Sequence, residues 1–119
     1  MSKPVAKYSP IRKAGDFYYI SGQIALKPGT LELVSDDFKQ QAIQALENLL
    51  AVLQGAELSM DDVVKTSVFL VDIENYSDMN EIYASYVTDT PPARSAFAVK
   101  NLPLEAKIEI EAIAYKKSS

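Results

Sequence analysis

The chain has 119 residues, 48% of them hydrophobic, and a formal net charge of −4. That length fits one domain with a sizeable core, and that hydrophobic share excludes a disordered chain. The acidic balance, with no Lys/Arg cluster, speaks against a nucleic-acid partner, and the absence of Cys and His excludes disulfides, Cys-based zinc sites, thiolate nucleophiles and Ser-His-Asp catalysis.

Acid–base chemistry must therefore come from Asp, Glu, Tyr, Lys or bound water. The opening MSKPVAKYSP lacks the apolar core of a signal peptide, and no run reaches membrane-spanning length. A cytoplasmic protein with no membrane partner is expected, as one domain over residues 1–119.

In chain order, Val5–Tyr8 is a candidate first strand, broken by Ser9-Pro10 because proline lacks an N–H donor. Ala14-Gly15-Asp16 is a turn. Phe17–Ser21, FYYIS, is aromatic and β-branched and predicts a strand that Gln23–Leu26 continues. Gly22 interrupts it, which points to a bulge or a close backbone approach. Lys27-Pro28-Gly29-Thr30 has turn chemistry.

Ser35 is a candidate N-cap, with Asp36 and Asp37 in the first turn. Phe38, Ala42, Leu46, Leu49, Leu50 and Leu53 recur at helical spacing and predict a helix over Asp36–Gln54, with Gly55 as its C-cap. Ser59–Asp62 is a cap or turn. Val63–Val71, VVKTSVFLV, predicts a central strand, apolar on both faces. A second helix starts at Asn75 or Ser77, buries Met79, Ile82, Tyr83 and Tyr86, and ends by Thr88–Pro92. Ser95–Val99 is a strand and Asn101-Leu102-Pro103 a loop. Lys107–Tyr115 alternates, with Ile108, Ile110, Ala112 and Ala114 on one face. The polar tail Lys116–Ser119 is expected to fray.

This order predicts an α+β fold: a mixed β-sheet with two helices packed on one face. The other face carries Tyr18, Val68 or Phe69, and Ile113, too apolar for open water. Self-association through it is the economical solution.

Several residues are candidates for chemistry. Arg94 sits in TPPARSAF, after two stiffening prolines. Its planar fork suits a carboxylate, and it stays charged. Spacing alone favours a structural ion pair or a solvated arginine. Glu109 and Glu111 share a strand face about 6.6–6.8 Å apart; they suit a water or a proton relay, but a solvated or interface-lining face is commoner. Gly22 is a bulge or a ligand contact, and Asn80 a local cap or a site residue. No phosphate loop, zinc spacing or helix-turn-helix pattern is present.

Taken together, SGQI, QAIQALENLLAVL, VVKTSVFLVD, MNEIYASY, PPARSAFAV and KIEIEAIA resemble the Rid family of imine/enamine deaminases, also called YjgF-like or L-PSP endoribonuclease-like proteins. The resemblance covers Tyr8 to Tyr115. It implies a chorismate-mutase-like fold of the trimeric type, with three sheets forming a central barrel in a homotrimer and ligand clefts between subunits. It implies that Arg94 pairs with a substrate carboxylate, that the Ala96 N–H adds a hydrogen bond, and that Glu109 activates water and shuttles a proton. Gly22 would offer its backbone, and Asn80 would line the cleft.

The reaction implied is hydrolysis of 2-aminoacrylate or 2-aminocrotonate, through their imines, to 2-oxo acids and ammonia, with no cofactor and no metal. The alternative is a non-catalytic regulator binding a small 2-oxo acid at Arg94. Ribonuclease or translation inhibition, attached to parts of the family, fits the acidic chain least. Two departures stand out: Ala96 replaces a frequent cysteine, and Ile11 stands where the resemblance sets a tyrosine just after proline.

Overall fold

The computed structural model describes residues 6–118. Its sheet begins at Ile11, with β1 over Ile11–Ala14. The strand expected at Val5–Tyr8 is absent from Ala6–Tyr8, and Val5 lies outside the described residues. The chain before Ile11 instead runs against the next strand: Ser21 N donates to the Pro10 carbonyl at 3.0 Å, and Ser21 Oγ donates to the Ser9 carbonyl at 2.7 Å. Strand β2, Phe17–Gln23, pairs back on β1 with Ala14 opposite Phe17. Gly15 makes that two-residue loop at φ +62, a backbone region costly for a side chain.

Helix α1 spans Phe38–Gly55. Asp37, not Ser35, is its N-cap: Asp37 Oδ2 accepts from Gln40 N at 3.0 Å. Ser35 Oγ accepts from Asp37 N one step earlier. The expected stripe is buried except Leu50, which is partly so, and Ala45 and Val52 join it. Gly55 is the last helical residue rather than the C-cap, which is Ala56.

Strand β3 covers Val63–Leu70, α2 Tyr76–Ala84, β4 Ala93–Ala98 and β5 Ile108–Tyr115. The sheet order is β1-β2-β5-β3-β4. Only β3 and β4 run parallel, as the helical crossover through α2 allows; the other neighbours are antiparallel. The fold is thus α+β, a mixed sheet with both helices on one face. The strand expected to be central, β3, has neighbours on both sides, but β5 is the middle one.

Ile108, Ile110, Ala112 and Ala114 of β5 are all buried under α1, which is the alternation the sequence carries. Each large aliphatic side chain so buried contributes about 1.5–3 kcal/mol. Gln41 ties helix to sheet from within the core: its Nε2 donates to the Ser35 carbonyl at 2.8 Å, and its Oε1 accepts from Lys107 N at 2.9 Å.

The opposite sheet face is open. Phe69 and Phe97 meet there edge to face at 5.3 Å, and Phe17 meets Tyr115 at 5.1 Å. Phe69, not Val68, belongs to this face; Val68 is buried under the helices. Tyr18 pairs with buried Ala114 and packs on the core, so Tyr19 faces outward in its place. The described tail does not fray freely. Lys116 N donates to the Asp16 carbonyl at 3.0 Å, and Ser118 Oγ to Asp16 Oδ1 at 3.0 Å.

Candidate active site

Arg94 lies inside β4, at its second residue, rather than at the seam before a strand. It is registered beside buried Thr66 of β3, so its side chain points to the helix side of the sheet. There α2 presents one stripe, Tyr76, Met79 and Tyr83, at spacings of three and four. The Arg94 Cζ stands 4.9 Å from the Tyr83 ring centroid and 5.7 Å from that of Tyr76. Arg94 Nη2 donates to Tyr76 Oη at 3.1 Å, and Nη1 faces Met79 Sδ at 3.7 Å. Tyr83 is fixed in turn, its hydroxyl 2.7 Å from Thr66 Oγ1. Among the described residues no carboxylate lies within ion-pair distance of Arg94. A structural salt bridge therefore does not explain this arginine. Two π faces hold it without neutralising it.

Ala96 follows on the same face, half-buried and packed against the core. Strand β4 is a sheet edge. Val99 N donates to the Leu70 carbonyl, and strand N–H groups alternate in direction. The N–H groups of Ser95 and Phe97 thus also turn to β3, and those of Arg94 and Ala96 turn outward. Asn80, half-buried, lies on α2 next to the Tyr76, Met79 and Tyr83 stripe.

Glu109 belongs to a different place. It stands opposite Phe69 in register, on the open face, with Glu111 two residues on. Its carboxyl is pushed above its ordinary value, first by burial and second by the charge of Glu111. Gly22 makes room for it: a side chain at position 22 would overlap the Glu109 carboxylate. The β2–β5 register slips between Ile20 and Gln23, so Gly22 is both a bulge and a close approach. Its φ is not in the left-handed region, so the glycine gives space to the Glu109 side chain rather than backbone freedom.

The sequence-derived candidates thus fall into two groups. Arg94 and Ala96 lie at the β4 edge on the helix side, with Asn80 on helix α2, which packs over Arg94. Gly22 and Glu109 gather on the open face. One chain does not bring the groups together.

Ile11 packs against the core through β1, opposite Ile20. A phenol stands on the open face all the same. Tyr8 lines a concavity of about 900 Å³ with Tyr19, Ser21, Lys65 and Glu111. From the sequence, Tyr8 falls in an expected strand and is not singled out. The concavity holds neither Arg94 nor Glu109, and it belongs to the face a single chain leaves uncovered. Among the described residues no group of three or more acidic side chains is gathered to hold a metal, and no helix is long and apolar enough to cross a membrane.

The fold is an α+β sheet with an arginine unpaired with any carboxylate among the described residues at one edge and a crowded carboxylate on its bare face. The chain belongs to the Endoribonuclease L-PSP family, which matches residues 1–116; this is the Rid family that the sequence resembles. It is 48% identical over 115 residues to a RutC family protein of Pyrococcus horikoshii, covering 97% of this chain and 91% of that one. Its fold is similar to RidA from the Antarctic bacterium Psychrobacter sp. (TM-score 0.91, 39% identity, covering 97% of this chain and 93% of that one). It is also similar to E. coli TdcF with bound serine (TM-score 0.89, 35% identity, 96% and 91% covered).

Proposed function

We propose that this chain hydrolyses small 2-imino acids to 2-oxo acids and ammonia, as a cytoplasmic homotrimer whose clefts combine the β4 edge of one subunit with the open face of another. The observation that carries the reading is Arg94, charged, oriented by Tyr76 and Tyr83, and unpaired with any carboxylate among the described residues. The similarity to TdcF with bound serine supports a ligand that bears a carboxylate.

Arg94 takes the substrate carboxylate on its fork, and the outward Ala96 N–H donates to the same ligand. Asn80 lines the cleft. An enamine first gains a proton at C3 and becomes the iminium. Glu109, as carboxylate, accepts a proton from water as the water oxygen bonds to C2 of the iminium. The adduct then carries a hydroxyl and an amine on C2. Glu109 returns its proton to the nitrogen. As the C–N bond breaks, the carboxylate accepts the hydroxyl proton and C2–O becomes the carbonyl. The 2-oxo acid and ammonia leave, and Glu109 passes that proton to solvent, balancing the one taken up at C3. The imine is already electrophilic, so holding it and placing one water suffices.

The test is direct. A dehydratase generates 2-iminopropanoate, and ammonia release is followed with and without this protein. Acceleration that Arg94→Ala abolishes is the expected result; no acceleration, or full acceleration by that variant, overturns the proposal. The second reading, a regulator that binds 2-oxo acids without turnover, is favoured by one observation: the arginine group is complete without Glu109. Tight 2-oxobutanoate binding in calorimetry with no turnover selects it.

A further inference from the structure

We infer that Tyr76 is a positioning residue, which aims the Arg94 fork through its hydroxyl and ring; the inference rests on Arg94 being the carboxylate receptor. Three neighbours hold the guanidinium, and they are not equivalent. Met79 and Tyr83 are buried, and Tyr83 is locked by its hydrogen bond to Thr66. They form a fixed floor. Tyr76 is the exposed member, on the first turn of α2, and it makes two contacts with the same cation. Its hydroxyl takes Nη2 at 3.1 Å while its ring lies 5.7 Å from Cζ.

A carboxylate at that position would hold Arg94 more strongly, but it would compete with an incoming carboxylate for the same donors. A phenol orients one donor and leaves the charge intact. Nη1, facing the weak thioether acceptor of Met79, also keeps nearly its full donor strength. The fork is therefore aimed yet uncommitted before ligand arrives. A flexible arginine would have to lose its rotamer freedom on binding, so Tyr76 favours affinity by ordering Arg94 in advance. The effect belongs in Kd and KM and leaves the water-attack step alone.

Three variants of the full chain separate these roles: Tyr76→Phe keeps the ring, Tyr76→Leu removes ring and hydroxyl, and Tyr86→Phe is a control whose hydroxyl contacts Glu47 instead. Two readouts are used: 2-oxobutanoate affinity and 2-iminopropanoate kinetics on one side, and NMR relaxation of the Arg94 guanidinium nitrogens on the other. Tyr76→Phe is expected to raise Kd and KM about fivefold, with kcat changed by less than about twofold. Tyr76→Leu should raise them about twentyfold or more. Both should make the Arg94 nitrogens more mobile, and Tyr86→Phe should change nothing. Unchanged Arg94 mobility in Tyr76→Phe overturns the inference, and so does a fall in kcat at constant KM. If the wild type neither binds nor turns over these compounds, the functional reading fails, while Arg94 mobility in the variants still decides whether Tyr76 positions it.

Discussion

Gly22 and Glu109 occupy one space: the Glu109 carboxylate lies where a side chain at position 22 would stand. The two residues come from adjacent strands, brought level by the slip in the β2–β5 register.

Gly22→Ala should displace the carboxylate and leave the fold intact. The clashing atoms are the far end of a flexible side chain, and the backbone at 22 needs no left-handed φ. Thermal unfolding should therefore shift by less than about 1 kcal/mol. The proposed deaminase turnover should fall about ten- to a hundredfold, because the base proposed here, moved by an ångström, loses its alignment. Unfolding and kcat measured on the same sample check both halves.

The pH dependence has a defined sign. Glu109 titrates above its ordinary value of 4.5, through burial and then the Glu111 charge. The folded chain thus holds this proton more tightly than the unfolded chain. Stability falls as pH rises from 4.5 through the raised value, and Glu109→Gln should flatten that slope. As the proposed base, Glu109 should also give kcat/KM an acid limb above the usual carboxylate range. Glu111→Gln removes the like charge and should move the limb to lower pH. Unfolding midpoints and rates across a pH series check both.

Arg94 and Glu109 lie on opposite faces of one sheet. If two subunits build each cleft, Arg94→Ala and Glu109→Gln damage different halves. Co-expressed as mixed trimers at equal amounts, the two inactive variants should regain about a quarter of wild-type activity, the share of clefts with both groups intact. Activity that stays at the level of either variant alone contradicts a shared cleft.

Thr66→Val should destabilise the chain more than its size suggests. It leaves the buried Tyr83 hydroxyl without its 2.7 Å partner, a cost of about 1–3 kcal/mol. Lys27→Ala, which breaks the exposed pair with Glu32 at 3.6 Å, should cost less than about 1 kcal/mol. Urea unfolding compares the two.

The alternation of β5 and the stripe of α1 were legible in the sequence because each repeats one period over many residues. Strand β1 was not. It has four residues, IRKA, and only Ile11 brings an aliphatic contact to the core. The run FYYIS gave the strand but not its faces, because three adjacent aromatics carry no alternation; the register with β5 put Tyr18 inward and Tyr19 outward. Arg94, Ala96, Asn80, Gly22 and Glu109 were all named from the sequence. Their division between two faces was not visible there. It depends on β4 pairing parallel to β3 while β5 pairs antiparallel, and such register is set by the sheet as a whole.

The edge strand β4 carries a second meaning. A bare strand edge with outward amides invites another strand and seeds aggregation. Here that edge is six residues long, is preceded by Pro91 and Pro92, and bears a charged arginine near its start. Short length, proline and charge are the features by which sheets keep from growing. The arginine proposed to receive a ligand is therefore also part of what discourages this edge from taking on another strand, and any redesign of it must preserve this guard against runaway assembly.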